Sequence, residues 1–262
     1  MFDSGFGGLT VARAVMDLLP SEDVVYLGDT GRYPYGPRDL NEVRDFARQI
    51  THHLVESYDV KVVVVACNTA AAAALDVLVG ECPVPVLGVI EPGARALTQT
   101  TVTGRVGVIG TVGTIGSGAY QAAVREAAGD AAVTLTCAAC PGFVEFVERG
   151  ETESEQAHVL AERLLAPISD AGVDALLLGC THYPFLARTI GDVMGRDVVL
   201  VSSADETAFA LKALLDDNAI SAPPGGAGKH RWVSTGDAAA FAALGRRLLG
   251  PELDVVEALE WG

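Results

Sequence analysis

Residues Lys61–Thr69 read KVVVVACNT: four valines and Ala66 lead into Cys67, and the polar pair Asn68-Thr69 opens an alanine-rich segment. Far downstream, Asp174–His182 (DALLLGCTH) has the same form, with Cys180 ending the apolar run. A short apolar run bounded by polar residues and followed by helix formers predicts a buried parallel strand feeding a helix. Each cysteine then stands at a strand's carboxyl end, the edge where open α/β sheets bind ligands. The repeated setting predicts two half-sites, each offering one thiol.

Strands and helices alternate outward from these runs. Asp23–Leu27 predicts a strand, Arg32–Pro37 (RYPYGP) a loop over its end, and Leu40–Tyr58 an amphipathic helix. Asp3–Gly8 (DSGFGG) predicts a strand-to-helix turn, with Ser4 placed to cap a helix that turns Leu9, Ala12, Val15, Met16 and Leu19 inward. Only Met1 and Phe2 precede that turn, whereas a buried strand takes about five residues. The first strand is therefore expected to be shortened, or the start to lie downstream of the natural one. After Cys67, Val86–Ile90 predicts a strand ending at Glu91-Pro92-Gly93, with Ala94–Gln99 helical. A second series follows, with strands at Arg105–Gly110, Val133–Cys137, the Cys180 run and Asp197–Val201. Its helices are expected at Tyr120–Ala128, Phe143–Arg149, Ser154–Ala171 and Tyr183–Met194, with a hydroxyl- and glycine-rich loop at Thr111–Tyr120. Ala204–Asn218 predicts a helix, Arg231–Ser234 a last strand and Ala238–Leu249 a final helix. Such alternation means α/β with parallel sheet, in two lobes.

The chain has 262 residues, half of them apolar, enough for a sizeable core. Lys and Arg number 18 against 34 Asp and Glu, giving a net charge of −16 with no basic block to offset it. Nucleic acid and anionic membranes are disfavoured as partners, since both need a basic footprint. No apolar stretch reaches the ~18 residues of a membrane span, and no charged-then-apolar leader opens the sequence. A cytoplasmic protein is expected. The five cysteines are an odd number spread through a long α/β chain, so they are expected to be reduced.

A thiol at a strand-to-helix junction faces backbone N–H groups and the helix dipole, which lower its pKa from ~8.5. One such cysteine predicts a nucleophile. Two, from opposite lobes, predict an acid/base pair: a thiolate takes a proton from one face of a carbon and a thiol returns one to the other face. That inverts the centre without a metal or cofactor. Burial as small core residues competes with this for any single cysteine, and competes poorly for two in matching settings. Ser4, Asn68, Thr69 and Thr181, with N–H groups at helix starts, are placed to hold a carboxylate without arginine. Asp3 and Glu148 are candidates for a substrate ammonium, and His182 for stabilising a thiolate at Cys180 or relaying protons. Taken singly, each also fits a bland role: Asp3 as a cap, Glu148 as a solvated helix residue, His182 as a hydrogen-bonded structural group.

In order along the chain, FDSG, GDT followed by PYG, ACNTA and GCTHYP resemble bacterial glutamate racemases of the aspartate/glutamate racemase superfamily, over nearly the whole length. The set is specific where any one motif is weak. The resemblance implies two pseudo-symmetric lobes, each a parallel-sheet α/β sandwich, with the active site in the cleft between them. Residues 1–91 plus 203–262 would form one lobe and 92–202 the other. It implies cofactor-independent racemisation of L-glutamate to D-glutamate for peptidoglycan, with Cys67 acting on D-glutamate and Cys180 on L-glutamate. Substrate would be held by Asp3, Ser4, Tyr35, Gly36, Asn68, Thr69, Thr181 and His182, with help from Asp29 and Glu148. A homodimer is implied, and no metal. Phe6 departs from the pattern, where a small aliphatic residue is more usual. Two alternatives stay open: a racemase of aspartate or another small amino acid, and a two-lobed amino-acid-binding protein with inert thiols.

Other signals carry less. Cys137-Ala-Ala-Cys140 has CxxC spacing, but a zinc site needs two more ligands, and the segment reads as structural. GFGG lacks both the GxGxxG fingerprint and a Walker-type lysine. His52-His53 falls in a helix and reads as surface.

Overall fold

The predicted alternation of apolar runs and amphipathic periods is realised in the computed structural model, which describes residues 1–261. The chain begins β1 (Phe2–Asp3), α1 (Leu9–Leu18), β2 (Val24–Gly28), α2 (Leu40–Tyr58), β3 (Val63–Val65), α3 (Asn68–Glu81), β4 (Val86–Gly88) and α4 (Ile90–Thr100). It continues β5 (Arg105–Gly110), α5 (Val112–Gly116), α6 (Ala119–Ala128), β6 (Thr134–Ala139), α7 (Phe143–Arg149), α8 (Glu155–Asp170) and β7 (Ala175–Gly179). A 3-10 turn at Tyr183–Leu186 leads into α9 (Ala187–Met194), then β8 (Val199–Ser202), α10 (Ser203–Asp217), β9 (His230–Ser234), α11 (Ala238–Leu248) and β10 (Val256–Ala258).

Two sheets result, one ordered β10-β9-β2-β1-β3-β4 and the other β6-β5-β7-β8. Every pairing is parallel. Parallel strands are covered on both faces and so read as continuous apolar runs; Val63–Val65 and Ala175–Gly179 are buried throughout. The amphipathic period of α2 puts Val43, Ala47, Ile50 and Leu54 against the core.

Register decides what the two sheets present. Short as it is, β1 lies between β2 and β3, pairing Phe2 with Leu27 and with Val65. Asp29 N donates to Asp3 O at 3.0 Å and Ala66 N to Phe2 O at 2.9 Å. Asp3, Asp29 and Cys67 therefore emerge together at one carboxyl edge. In the second sheet Gly110 pairs with both Ala139 and Gly179. Thr111, Cys140 and Cys180 follow these residues directly, so they emerge together as well.

Several local expectations are corrected. Ser4 does not cap α1, which starts after Gly8 with no side-chain cap. The intervening Gly5–Gly8 turn carries the chain past Ser4 before the helix begins. Glu91-Pro92-Gly93 is not a strand end but the first turn of α4, where a proline's missing N–H costs nothing. The expected helix at Tyr183 opens as a 3-10 turn, with Pro184 in its first positions. The hydroxyl-rich loop contains α5, capped by Thr111, whose side chain accepts from Thr114 N. β9 is followed by β10, a half-exposed edge strand with too little apolar alternation to stand out. All five cysteines are free. Among the described residues no helix is long and apolar enough to cross a membrane.

Candidate active site

The carboxyl edges of the two sheets face one cavity of about 120 Å³, and both Cys67 and Cys180 line it. Ser4, Tyr35, Gly36, Asn68, Thr69, Thr181 and His182 line it too. A larger hollow of about 400 Å³ opens at the amino ends of β2 and β3, beside Glu22 and Lys61, and holds neither thiol. Size alone does not mark the chemistry; the convergence of strand ends does.

Cys67 is the N-cap of α3, and its sulfur accepts from Ala70 N at 3.5 Å. Its Sγ lies 3.8 Å from Ser4 Oγ. These contacts favour a thiolate, as the strand-to-helix setting predicts. Burial opposes them and, with the nearby Asp3 carboxylate, prevails: the Cys67 thiol is pushed up to about 12. The expectation of a lowered pKa at Cys67 is thus overturned among the protein's own groups, because desolvation outweighs one ring of N–H dipoles. A cation brought close to the sulfur would reverse the balance.

Hydrogen bonds cross from one sheet's edge to the other around the cavity. Asn68 Nδ2 donates to Tyr120 Oη at 2.7 Å. The hydroxyls of Thr69, Thr111 and Thr114 form a closed triangle with edges of 2.9 to 3.1 Å. Thr181 Oγ1 donates to Asp3 Oδ2 at 3.3 Å, while Asp3 Oδ1 accepts from Gly5 N at 2.9 Å. Gly113 N donates to Gly36 O at 3.0 Å, fixing the Tyr35-Gly36 loop against α5. Asn68 Oδ1 is buried without a protein partner, an acceptor left for a ligand's N–H.

His182 is almost wholly buried. Burial works against its charge, but Cys180, Glu148 and Asp3 around it prevail and push it up to about 10. These neighbours favour the charged imidazolium beside Cys180. Its Nε2 lies 3.6 Å from Glu148 Oε1, and neither atom has a closer hydrogen-bond partner.

Three candidate residues stand behind the lining. Asp3 touches Thr181, and Glu148 faces His182. Asp29 is fully buried, and its carboxylate is saturated by four donors. Arg32 Nε at 2.7 Å and the Tyr35 hydroxyl bind Oδ2; Thr235 Oγ1 at 2.6 Å and Trp261 Nε1 at 3.1 Å bind Oδ1. So placed, Asp29 holds the Tyr35 hydroxyl and stands outside the cavity lining. Sequence reasoning missed Tyr33, Thr111, Glu145 and Cys140 as lining residues. Strand-end position was the available signal for Thr111 and Cys140: Thr111 follows an apolar run as Cys67 does, whereas the strand before Cys140 is interrupted by Thr134 and Thr136 and signals more weakly. Cys140, the second half of the CxxC, belongs to no group of three or more His, Cys, Asp or Glu side chains placed to hold a metal ion among the described residues.

Two parallel α/β sheets with strand-end thiols meeting at one cavity define a racemase-type architecture, and the chain belongs to the Asp/Glu/hydantoin racemase family, whose model matches residues 10–211. Within that family its similarity is to glutamate racemases. It is 51% identical over 257 residues to the glutamate racemase of Parafrankia sp. (strain EAN1pec), covering 98% of this chain and 92% of that one. The crystal structure of a glutamate racemase isoform from Bacillus anthracis superposes with a TM-score of 0.92 at 40% identity, covering 100% of this chain and 96% of that one. The glutamate racemase of Francisella tularensis, solved in complex with D-glutamate, gives 0.90 at 31% identity, covering 99% and 96%.

Proposed function

We propose that this protein is a glutamate racemase that interconverts L- and D-glutamate by a cofactor-independent two-thiol mechanism. The observation that carries it is the presence of Cys67 and Cys180, each from its own sheet, on the wall of one cavity. In the proposed reaction one cysteine, as thiolate, takes the Cα proton and becomes a thiol, leaving a carbanion conjugated with the carboxylate. The opposite thiol delivers its proton to the other face and becomes the thiolate. Cys67 deprotonates D-glutamate and Cys180 L-glutamate. The substrate ammonium supplies the cation that eases ionisation of Cys67, and Asn68 Oδ1 is an acceptor for it. Ser4, Tyr35, Gly36, Thr69, Thr181 and His182 hold the carboxylates. Asp3, Asp29 and Glu148 assist by orienting Thr181, Tyr35 and His182.

The same proposal assigns residues 1–91 plus 203–262 to one lobe and 92–202 to the other. It makes the protein a cytoplasmic homodimer that supplies D-glutamate for peptidoglycan, and so for cell wall and cell shape.

Incubation with L-glutamate in deuterated water tests it. Deuterium should enter Cα as D-glutamate accumulates. Binding without exchange would leave an amino-acid-binding protein, and faster exchange on aspartate would reassign the substrate. Cys67→Ser should slow proton removal from D-glutamate more than from L-glutamate, and Cys180→Ser the reverse, by roughly a hundredfold or more in the affected direction. Equal, mild effects would count against two opposed bases.

A further inference from the structure

Helix α11 touches the cavity's surroundings at both ends. Phe241, in its first turn, stacks on Phe6 of the loop before α1, with ring centroids 5.2 Å apart. At its other end Arg247 reaches to α7, which belongs to the second sheet's half of the molecule, and Nη2 approaches Glu148 O at 3.5 Å. Gly150 closes α7 with φ +75, and a Cβ there would lie 2.8 Å from Arg247 Nη2. The guanidinium therefore rests on the carboxyl end of α7, where terminal carbonyls lack helical partners and the dipole favours a cation. Val147, Thr152 and Phe185 wall the crevice around this contact.

What α7 carries makes its position matter. Glu145 lines the cavity. Glu148 Oε1 stands 3.6 Å from His182 Nε2, just beyond a hydrogen bond, with both atoms otherwise unpartnered. A shift of a few tenths of an ångström in α7 would make a charge-assisted bond or lose the contact.

We propose that Arg247 is a positioning residue: by holding the carboxyl end of α7 it keeps Glu148 opposed to His182. This rests on the racemase reading for its effect on turnover, but not for its effect on His182. The groups facing His182 are Cys180 and Thr181 beside it in the chain, Asp3 from β1, Tyr33 from the loop after β2, and Glu148 from α7. Glu148 is the one among them that Arg247 touches.

The experiment follows His182 titration by NMR in the full chain, alongside kcat, KM and Tm, for Arg247→Ala and Arg247→Lys. Loss of Glu148 from its place removes a partner that favours the imidazolium. The Arg247→Ala midpoint should therefore fall by about one pH unit, with kcat reduced roughly fivefold to tenfold and KM nearly unchanged. Arg247→Lys, which keeps a cation at the helix end, should recover most of both. An unchanged His182 midpoint in Arg247→Ala overturns the proposal, whether activity is kept or falls in step with Tm. Should Arg247→Ala fail to fold, Arg247→Gln carries the same readouts, and an unchanged midpoint there overturns the proposal equally. If the wild-type protein exchanges no Cα proton, the racemase reading falls, while the His182 titration still decides the role of Arg247.

Discussion

Gly7 has no room for a side chain. A Cβ there would lie 2.2 Å from Thr181 Oγ1 and 2.4 Å from His182 Nδ1, distances no relaxed contact allows. Both neighbours line the cavity, so Gly7→Ala must displace cavity-lining groups rather than a flexible surface chain. Its kcat/KM should fall by about a hundredfold, with far-UV circular dichroism preserved; activity within twofold of wild type would show that the close approach is dispensable. At this scale the sequence is informative where chemistry repeats. Cys67 and Cys180 stand out because the same strand-end setting occurs twice. Gly7 does not stand out, since its constraint comes from two residues far along the chain. The charge balance at Cys67 is hidden for a related reason: helix N–H groups are local and visible in sequence, whereas burial and Asp3 arrive only with folding.

Among the elements, the tail after α11 is the least legible and the most consequential. β10 adds to the sheet edge beside β9, and Leu259 N donates to Ser234 O at 2.8 Å. That pairing delivers Trp261 to Asp29, where its Nε1 is one of the four donors and its ring lies 4.6 Å from the Arg32 guanidinium. Trp261→Ala removes a donor from a buried carboxylate and a packing face from Arg32, which should lower stability by about 1–3 kcal/mol. Because Asp29 also holds Tyr35, the glutamate KM should rise severalfold with kcat less affected. Chemical denaturation and steady-state kinetics check both, and an unchanged KM would separate the tail from the site. The long buried elements are readable throughout. The two strands that lead to the thiols, β3 and β7, are buried at every position, and continuous burial leaves a continuous apolar signature. β10 leaves none, because an edge strand has one side in water.

For the whole molecule, buried ionisable groups set the response to pH. Burial pushes the Cys140 thiol, like Cys67, up to about 12, from an ordinary value of 9.0. Between those values the unfolded chain releases thiol protons that the folded chain keeps, so stability falls as pH rises. His182 acts in the same direction. Its folded value of about 10 lies above the ordinary 6.5, so its contribution is complete below 6.5 and is lost as pH rises through 10. Denaturant midpoints should therefore decline from neutral pH to pH 10, by the equivalent of a few kcal/mol. A flat profile over that range would mean that these groups are solvated in the folded state.

The sequence by itself determined the α/β class, the parallel strands, the two thiols and most of the polar residues that line the cavity with them. Those properties follow from local periodicity and from residue type at strand ends, which need no knowledge of the far chain. Tertiary structure alone decided that the two thiols share one cavity, that the Asp29 carboxylate is taken up by four protein donors, Tyr35 among them, and that burial pushes the Cys67 thiol up. It also put Gly7 against His182 and Arg247 against α7. Each of these depends on register between distant strands, or on burial and charge contributed by residues far away in sequence. Neither leaves a trace in the order of neighbouring residues.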